Sequence, residues 1–510
     1  MPASRVVVIG AGIGGLVAAL ELARRGAAVT VLERQATPGG KMRAIEIDGR
    51  PIDAGPTVFT MRSVFDQIFA AAGASLEDYV RLRRAEILAR HAWSAEERLD
   101  LFADTDRSAD AIGVFAGAAE ARGYRRFCEH ARQIYTTLDH SFIRAPRPSL
   151  PALIGRAGAG RLWRSDPFST MWRALGGYFR DKRLLQLFGR YATYCGSSPF
   201  LAPATLMLVA HVEQSGVWLV DGGMHRLAAG LAALAARHGA VFRYGAEAAE
   251  ILSAGGRAAG VRLATGERFD ADAVVLNADL GALENGGFGR EAARAAPGGP
   301  SAERSLSAVT WALLAPTEGF PLARHNVFFS GDYAGEFDDI FERRMLPAAP
   351  TIYVCAQDRD DRNGAAPLGP ERLLCLVNAP ANGDSHSFDA LEVKRCEQRT
   401  FAALERCGLR IHHRQDRSAV TTPADFARLF PGSGGALYGR ACHGWKASFE
   451  RPGSQSRMSG LYLTGGGVHP GPGVPMAALS GLQAAHSVMA NSTSTVRSRR
   501  TAMAGGTSMR

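Results

Sequence analysis

Gly10, Gly12 and Gly15 are spaced G-x-G-x-x-G between an apolar run, RVVVIG, and a stretch, LVAALELARRG, whose apolar residues recur on a helical period. A further apolar run, AAVTVLE, follows and ends on Glu33. These periods read as strand, turn, helix, strand, so the chain opens as a βαβ unit with parallel strands. In such a unit the first glycine permits the tight turn, the second lets backbone approach a pyrophosphate, and the third lets helix pack on strand. The helix start offers unpaired N–H groups and the positive end of its dipole to the phosphates. Glu33 lies 21 residues after Gly12, where a carboxylate can accept hydrogen bonds from both hydroxyls of an adenosine ribose and disfavours a 2′-phosphate. A glycine triplet alone is often only a tight turn; strand, helix and correctly spaced acid together point to dinucleotide binding.

The same kind of pattern returns twice. From about Val220 to Asp279 the helix-like GLAALAARHG is followed by VVLNAD, which reads as a buried strand, and LYLTGGG at 461–467 restores the strand-then-glycine pattern ahead of a helix from Met476 onward. In a chain of 510 residues, long enough for two or three domains, this implies an α/β protein with an interrupted sheet. We expect a discontinuous Rossmann-like domain from residues 1–75, 215–285 and 440–490. A mixed-sheet substrate domain is expected from 76–130 and 286–439, where TIYVCA and LLCLVNA read as strands and Leu391 to Arg406 as an amphipathic helix. Residues 131–214 read as a helical segment rich in Arg, Trp and Phe, a candidate membrane-docking lid, and 491–510 as a disordered tail.

Charge is uneven. The net +10 is concentrated in residues 141–190, with ten basic against two acidic residues, and in the last twenty residues, which add +4. Any anionic partner is therefore met locally. Arg156, Arg161, Arg164, Arg173, Arg180, Lys182 and Arg183 are interleaved there with Trp163, Phe168, Trp172, Tyr178 and Phe179. This mixture suits an anionic lipid surface, or else is a solvated basic face over core aromatics; no nucleic-acid motif accompanies it, so nucleic acid is not expected as a partner. The seven cysteines form no CxxC, and no His/Cys/carboxylate cluster has metal-ligand spacing, so no metal and a reducing, cytoplasmic setting are expected. The uncharged run Val6 to Leu20 is too short to span a bilayer, and no transmembrane helix is expected elsewhere.

Three further turns separate a flavin dinucleotide from a nicotinamide one. Pro38-Gly39-Gly40-Lys41 follows the ribose acid, giving bare backbone and a cation where a long cofactor would continue, and Asp53-Ala54-Gly55-Pro56-Thr57 is another turn. Gly465-Gly466-Gly467-Val468-His469-Pro470-Gly471-Pro472-Gly473-Val474-Pro475 leads into a helix, whose start would stabilise negative charge on a reduced isoalloxazine.

With Gly216-Val217-Trp218, Gly222-Gly223-Met224-His225-Arg226-Leu227 and Asn277-Ala278-Asp279, these motifs resemble over nearly the whole chain the bacterial phytoene desaturase family, carotenoid desaturases of the flavin amine oxidase superfamily. Residues 55–62, Gly-Pro-Thr-Val-Phe-Thr-Met-Arg, continuing into Val64-Phe65-Asp66, are similar to the hydroxyneurosporene (methoxyneurosporene) desaturases of purple phototrophic bacteria. Those introduce the C3,4 double bond of 1-hydroxy- or 1-methoxycarotenoids in the spheroidene and spirilloxanthin pathways. The resemblance implies FAD as cofactor, bound at Gly10, Gly12, Gly15, Glu33, Gly40, Lys41, Gly55, Thr57, the backbone of Ala248, Gly466, Gly467 and the helix start Val474, Pro475 and Met476. It implies a carotenoid substrate, peripheral association with the inner or photosynthetic membrane, and reoxidation by oxygen, a quinone or a soluble carrier. Conjugation spreads the cation left by hydride loss, so no strong base is obligatory and no catalytic triad is expected. His469 is a candidate proton acceptor beside its plainer reading as a hydrogen-bonded turn residue. Alternatives are a phytoene-type desaturase, a carotenoid ketolase or isomerase, another flavoenzyme of the amine oxidase fold, or a flavin-free prenyl-binding escort protein. The intact fingerprint argues against the last.

Overall fold

The computed structural model describes residues 3–297, 303–360 and 367–504. At its centre the strand Arg5–Ile9 lies between Ala28–Glu33 and Ala273–Leu276, with Leu461–Leu463 and Val241–Tyr244 at the two edges, all five parallel. Both faces of the inner strands are covered, which is why Arg5–Ile9, Ala28–Glu33 and Ala273–Leu276 read as apolar runs. Val6, Val8, Val29, Val31 and Val275 pack under the helices Ile13–Arg24, His225–Arg237 and Val474–Ala504. Val7, Ile9, Leu32 and Val274 pack on the other side against Ile251, Val261 and Leu263 of a three-stranded antiparallel sheet. The sheet thus draws its strands from three separated stretches, and the carboxyl ends of those strands carry the glycine loops.

A second, seven-stranded sheet runs in the order Ser418–Thr421, Ser307–Ala315, Glu371–Ala379, Ile352–Ala356, His325–Phe328, Ile87–Ala92, Arg98–Phe102, antiparallel except where His325–Phe328 meets Ile87–Ala92. The two-residue period divides it cleanly. Val309, Trp311, Leu373, Cys375, Val377, Ile352 and Val354 face a core capped by the helix Ala390–Arg406. Thr310, Leu374, Leu376, Asn378 and Tyr353, the alternate positions, face a cavity. Helices Ala118–Leu138, Lys182–Gly189 and Leu208–Gln214, with the 3-10 segment Arg190–Cys195, pack beside it around Phe127, Phe179 and Phe188.

The C-terminal helix continues to Ala504, through the first part of the Ser/Thr/Arg-rich stretch whose composition reads as disordered; residues 505–510 of that stretch lie outside the described residues.

Candidate flavin and substrate site

One cavity of about 980 Å³ joins the parallel sheet to the seven-stranded one. Gly10, Gly12, Glu33, Gly40, Lys41, Gly55, Thr57, Ala248, Gly466, Gly467, Val474, Pro475 and Met476 line it. Gly15 does not: it sits behind the wall, where a Cβ would fall 2.1 Å from the Gly10 carbonyl oxygen, so its role is the helix–strand contact. The loops that form the wall are packed backbone on backbone. Gly39 donates its N–H to the Ala11 carbonyl at 2.8 Å, and a Cβ on Gly55 would lie 1.9 Å from the Lys41 carbonyl oxygen. The carboxylate of Glu33 accepts the N–H groups of Ala11 at 2.7 Å and Gln35 at 2.8 Å, which fixes it at the end of its strand facing the glycine turn.

A flavin dinucleotide fits these residues. Gly12 caps the helix Ile13–Arg24 without any side-chain hydrogen bond, so first-turn N–H groups at the wall stay open to a pyrophosphate. The 31-residue helix beginning at Val474 also presents its first turn to the cavity, adding a second positive dipole end. Asn277 is a keystone that motif reading did not single out as a site residue. Its side chain donates to the Gly10 carbonyl at 3.3 Å and lies so close to Gly12 and Gly465 that a Cβ on either would come within 2.9 Å. Arg451, 2% exposed, donates to the Gly466 carbonyl at 3.1 Å and to the Arg440 carbonyl at 2.6 Å, bracing the C-terminal glycine loop. Asn277 stands in the quoted Asn277-Ala278-Asp279 motif, but its partner Gly10 is 267 residues away and so its role there was not readable; Arg451 stands in no motif.

The model of the flavin containing amine oxidoreductases matches residues 13–489. The chain belongs to this family. It is 57% identical over 99% of its length to a hydroxyneurosporene desaturase of Rubrivivax gelatinosus, covering 97% of that protein. It is 45% identical over 96% of its length to a hydroxyneurosporene desaturase of Cereibacter sphaeroides, covering 98% of that protein. Among solved structures, an oxidoreductase from Methanosarcina mazei superposes with a TM-score of 0.58 at 17% identity over 94% of this chain and 99% of the other, which shows a shared fold.

In this flavin oxidoreductase the structure changes the reading of His469 and adds to that of Lys41. His469, the candidate proton acceptor, is fully buried and absent from the cavity wall. Its Nε2 donates to the carbonyls of Phe142 and Ala145, both at 3.0 Å, and burial lowers its pKa, so the neutral ring ties a distant turn to the glycine loop. Lys41 reaches the wall, but its Nζ is held by the carbonyls of Leu437 at 2.8 Å and Ala436 at 3.2 Å. Burial lowers its pKa while Asp279 opposes the shift, and its charge braces that turn. Trp218 is absent from the wall and lies under the Arg62 guanidinium, 4.6 Å from its ring centroid.

The basic and aromatic segment divides in two. Phe179 is buried, and Trp172 and Tyr178 pack partly buried against the helical core. Trp163 and Phe168 are 73% and 62% exposed, and they line the cavity together with the exposed Leu150, Ile154 and Trp445. The cavity therefore opens through an apolar aromatic rim. Arg156, Arg161 and Arg164 are exposed on the helices Leu150–Ala157 and Ala159–Arg164, which carry Leu150, Ile154 and Trp163 of this rim. Among the described residues no helix is long and apolar enough to cross a membrane.

Proposed function

We propose that this flavoenzyme holds FAD and desaturates an acyclic carotenoid, introducing the C3,4 double bond into 1-hydroxyneurosporene or a related 1-hydroxy- or 1-methoxycarotenoid. The observation that carries the reading is the single cavity that runs from the fingerprint glycines to an exposed aromatic rim between apolar walls. The names of the two relatives narrow the substrate. Bound FAD supplies the hydride acceptor. Gly10, Gly12, Glu33, Gly40, Gly55, Gly466 and Gly467 hold it by backbone and carboxylate contacts, and the helix start at Val474 favours charge gathering on the reduced ring. Leu374, Leu376, Val209 and Val212 supply apolar wall that excludes water and aligns the rigid substrate. One saturated carbon gives up a hydride and its neighbour a proton, the pair that together would account for the two-electron, two-proton reduction of FAD, while the polyene spreads the intervening positive charge, so the wall needs no strong base.

In this reading the parallel-sheet body is the cofactor domain, the seven-stranded sheet is the substrate floor, and the rim docks on the cytoplasmic side of the inner or photosynthetic membrane to collect a lipid-dissolved substrate. The test is product analysis of the flavin-loaded protein in liposomes containing either 1-hydroxyneurosporene or phytoene. A lengthened chromophore from 1-hydroxyneurosporene is the expected result. Lengthening from phytoene alone would overturn the assignment of substrate.

A further inference from the structure

An apolar cavity holds a long polyene by a force that is nearly the same at every position along the rod, since burial of apolar surface has no direction. Choosing one carbon–carbon bond for oxidation therefore needs a polar stop. The buried part of the wall contains one. Arg190, 8% exposed, lines the cavity and uses one guanidinium nitrogen on the Tyr194 hydroxyl at 3.0 Å, while its Nε and Nη2 are buried with no hydrogen-bond partner among the described residues. Tyr333, 6% exposed, lines the same cavity, and its hydroxyl is likewise buried and unpartnered. Glu336, 1% exposed, is on the wall one helical turn along, its carboxylate accepting the Thr351 N–H at 3.0 Å and the Asn378 amide at 3.2 Å. Tyr333 and Glu336 share the helix Tyr333–Phe337, and Arg190 comes to the same cavity wall from the 3-10 segment Arg190–Cys195, near enough that it and Glu336 act electrostatically on the Tyr333 hydroxyl in opposite senses.

Leaving such donors dry and unpaired costs free energy, and a pure hydrocarbon filling the cavity would do that. A tertiary alcohol would not. Its oxygen accepts from Arg190 and Tyr333, and its hydrogen can be given to Glu336; a methoxy oxygen meets the same two donors. We infer that Arg190 and Tyr333 form an oxygen-binding subsite that takes the hydroxylated end of the polyene and so sets which bond, two carbons further along, is presented for oxidation. This rests on the substrate class proposed above.

Tyr333→Phe tests it, because the hydroxyl it removes has no partner to lose, and Arg190→Lys is the second variant, keeping the charge and removing the fork. Full-length, flavin-loaded proteins are compared for equilibrium binding of 1-hydroxyneurosporene and neurosporene, read by the polyene absorption shift, with flavin content and melting temperature checking the fold. The wild type is expected to bind the alcohol more tightly, and the ratio of the two affinities is expected to fall about tenfold in Tyr333→Phe, the change one good hydrogen bond makes. Equal affinity of the wild type for both carotenoids, or a ratio unchanged in both variants, would overturn the subsite. Absence of turnover by a wild type that still prefers the alcohol would instead count against the proposed reaction and leave the subsite standing.

Discussion

Glu336 has a carboxyl that burial pushes from the ordinary 4.5 up to about 7, against the opposing pull of its bonds from Thr351 and Asn378. The folded protein therefore keeps a proton that the unfolded chain releases between these two values. Its contribution to stability is full below about pH 4.5 and is lost as pH rises through about 7. Glu336→Gln removes this titration at nearly constant shape, with Asn378 free to turn its amide oxygen toward the new nitrogen. The variant should gain on the wild type in urea unfolding as pH is raised from 5 to 8, by about 3 kcal/mol at most. A difference that is flat with pH would show that the carboxyl titrates normally. This residue marks the limit of what the sequence discloses at this scale. Glu33 and the fingerprint glycines announce themselves because their sterics are local, a fixed number of positions apart in one βαβ unit. Tyr333 and Glu336 are three apart on one helix, a spacing that every helix offers, and Arg190 comes from a 3-10 segment far earlier in the chain, so only tertiary packing brings it to the same wall.

The strands of the parallel sheet were legible as apolar runs at Val6, Val29 and Val274 because burial on both faces leaves no polar alternation to confuse the reading. Val241–Tyr244, at the sheet edge and largely exposed, carries no such run and is not distinguishable from a loop. Turn chemistry shows the same contrast. His469 sits in the most glycine-rich loop of the chain, yet which way its ring points is decided by the turn at residues 139–145, more than 300 positions away. Its work is to connect two elements. Replacing it by Phe keeps the ring against Phe142, 4.8 Å between centroids, but withdraws the donor from both carbonyls, of which Ala145 retains the Gln483 amide. We expect a loss of about 1 kcal/mol in unfolding free energy and an unaltered pH profile of turnover. Disappearance of a limb of that profile would restore His469 as a proton acceptor.

For the molecule as a whole, the decisive arrangement is that the glycine loops and the exposed aromatic rim line one cavity, so a path leads from the surface to those loops. The basic and aromatic residues that the sequence interleaves at 156–183 are separated by folding. Phe179 supports the core, whereas Trp163 and Phe168 are left at the opening, with the exposed Arg156, Arg161 and Arg164 on the two helices that lead up to Phe168. Composition alone could not make that division, because a periodic aromatic looks the same whether it faces core or solvent. If the rim docks on lipid, the two residue classes contribute differently. Arginines act through the anionic surface potential at about 1 kcal/mol each, an effect that salt screens, while the indole and phenyl rings act by insertion, which salt does not weaken. Changing the three arginines to Gln should therefore lower binding to anionic liposomes by roughly 100-fold at low salt and hardly at all at high salt. Trp163→Ser with Phe168→Ser should lower binding to neutral and anionic liposomes alike. Both variants should retain their flavin, because all five side chains are exposed at the surface, away from the buried sheet that carries the glycine loops. Liposome sedimentation that is the same for all three proteins would place the membrane contact elsewhere, and the exposed rim would then have to be explained as an entrance for substrate delivered by another carrier.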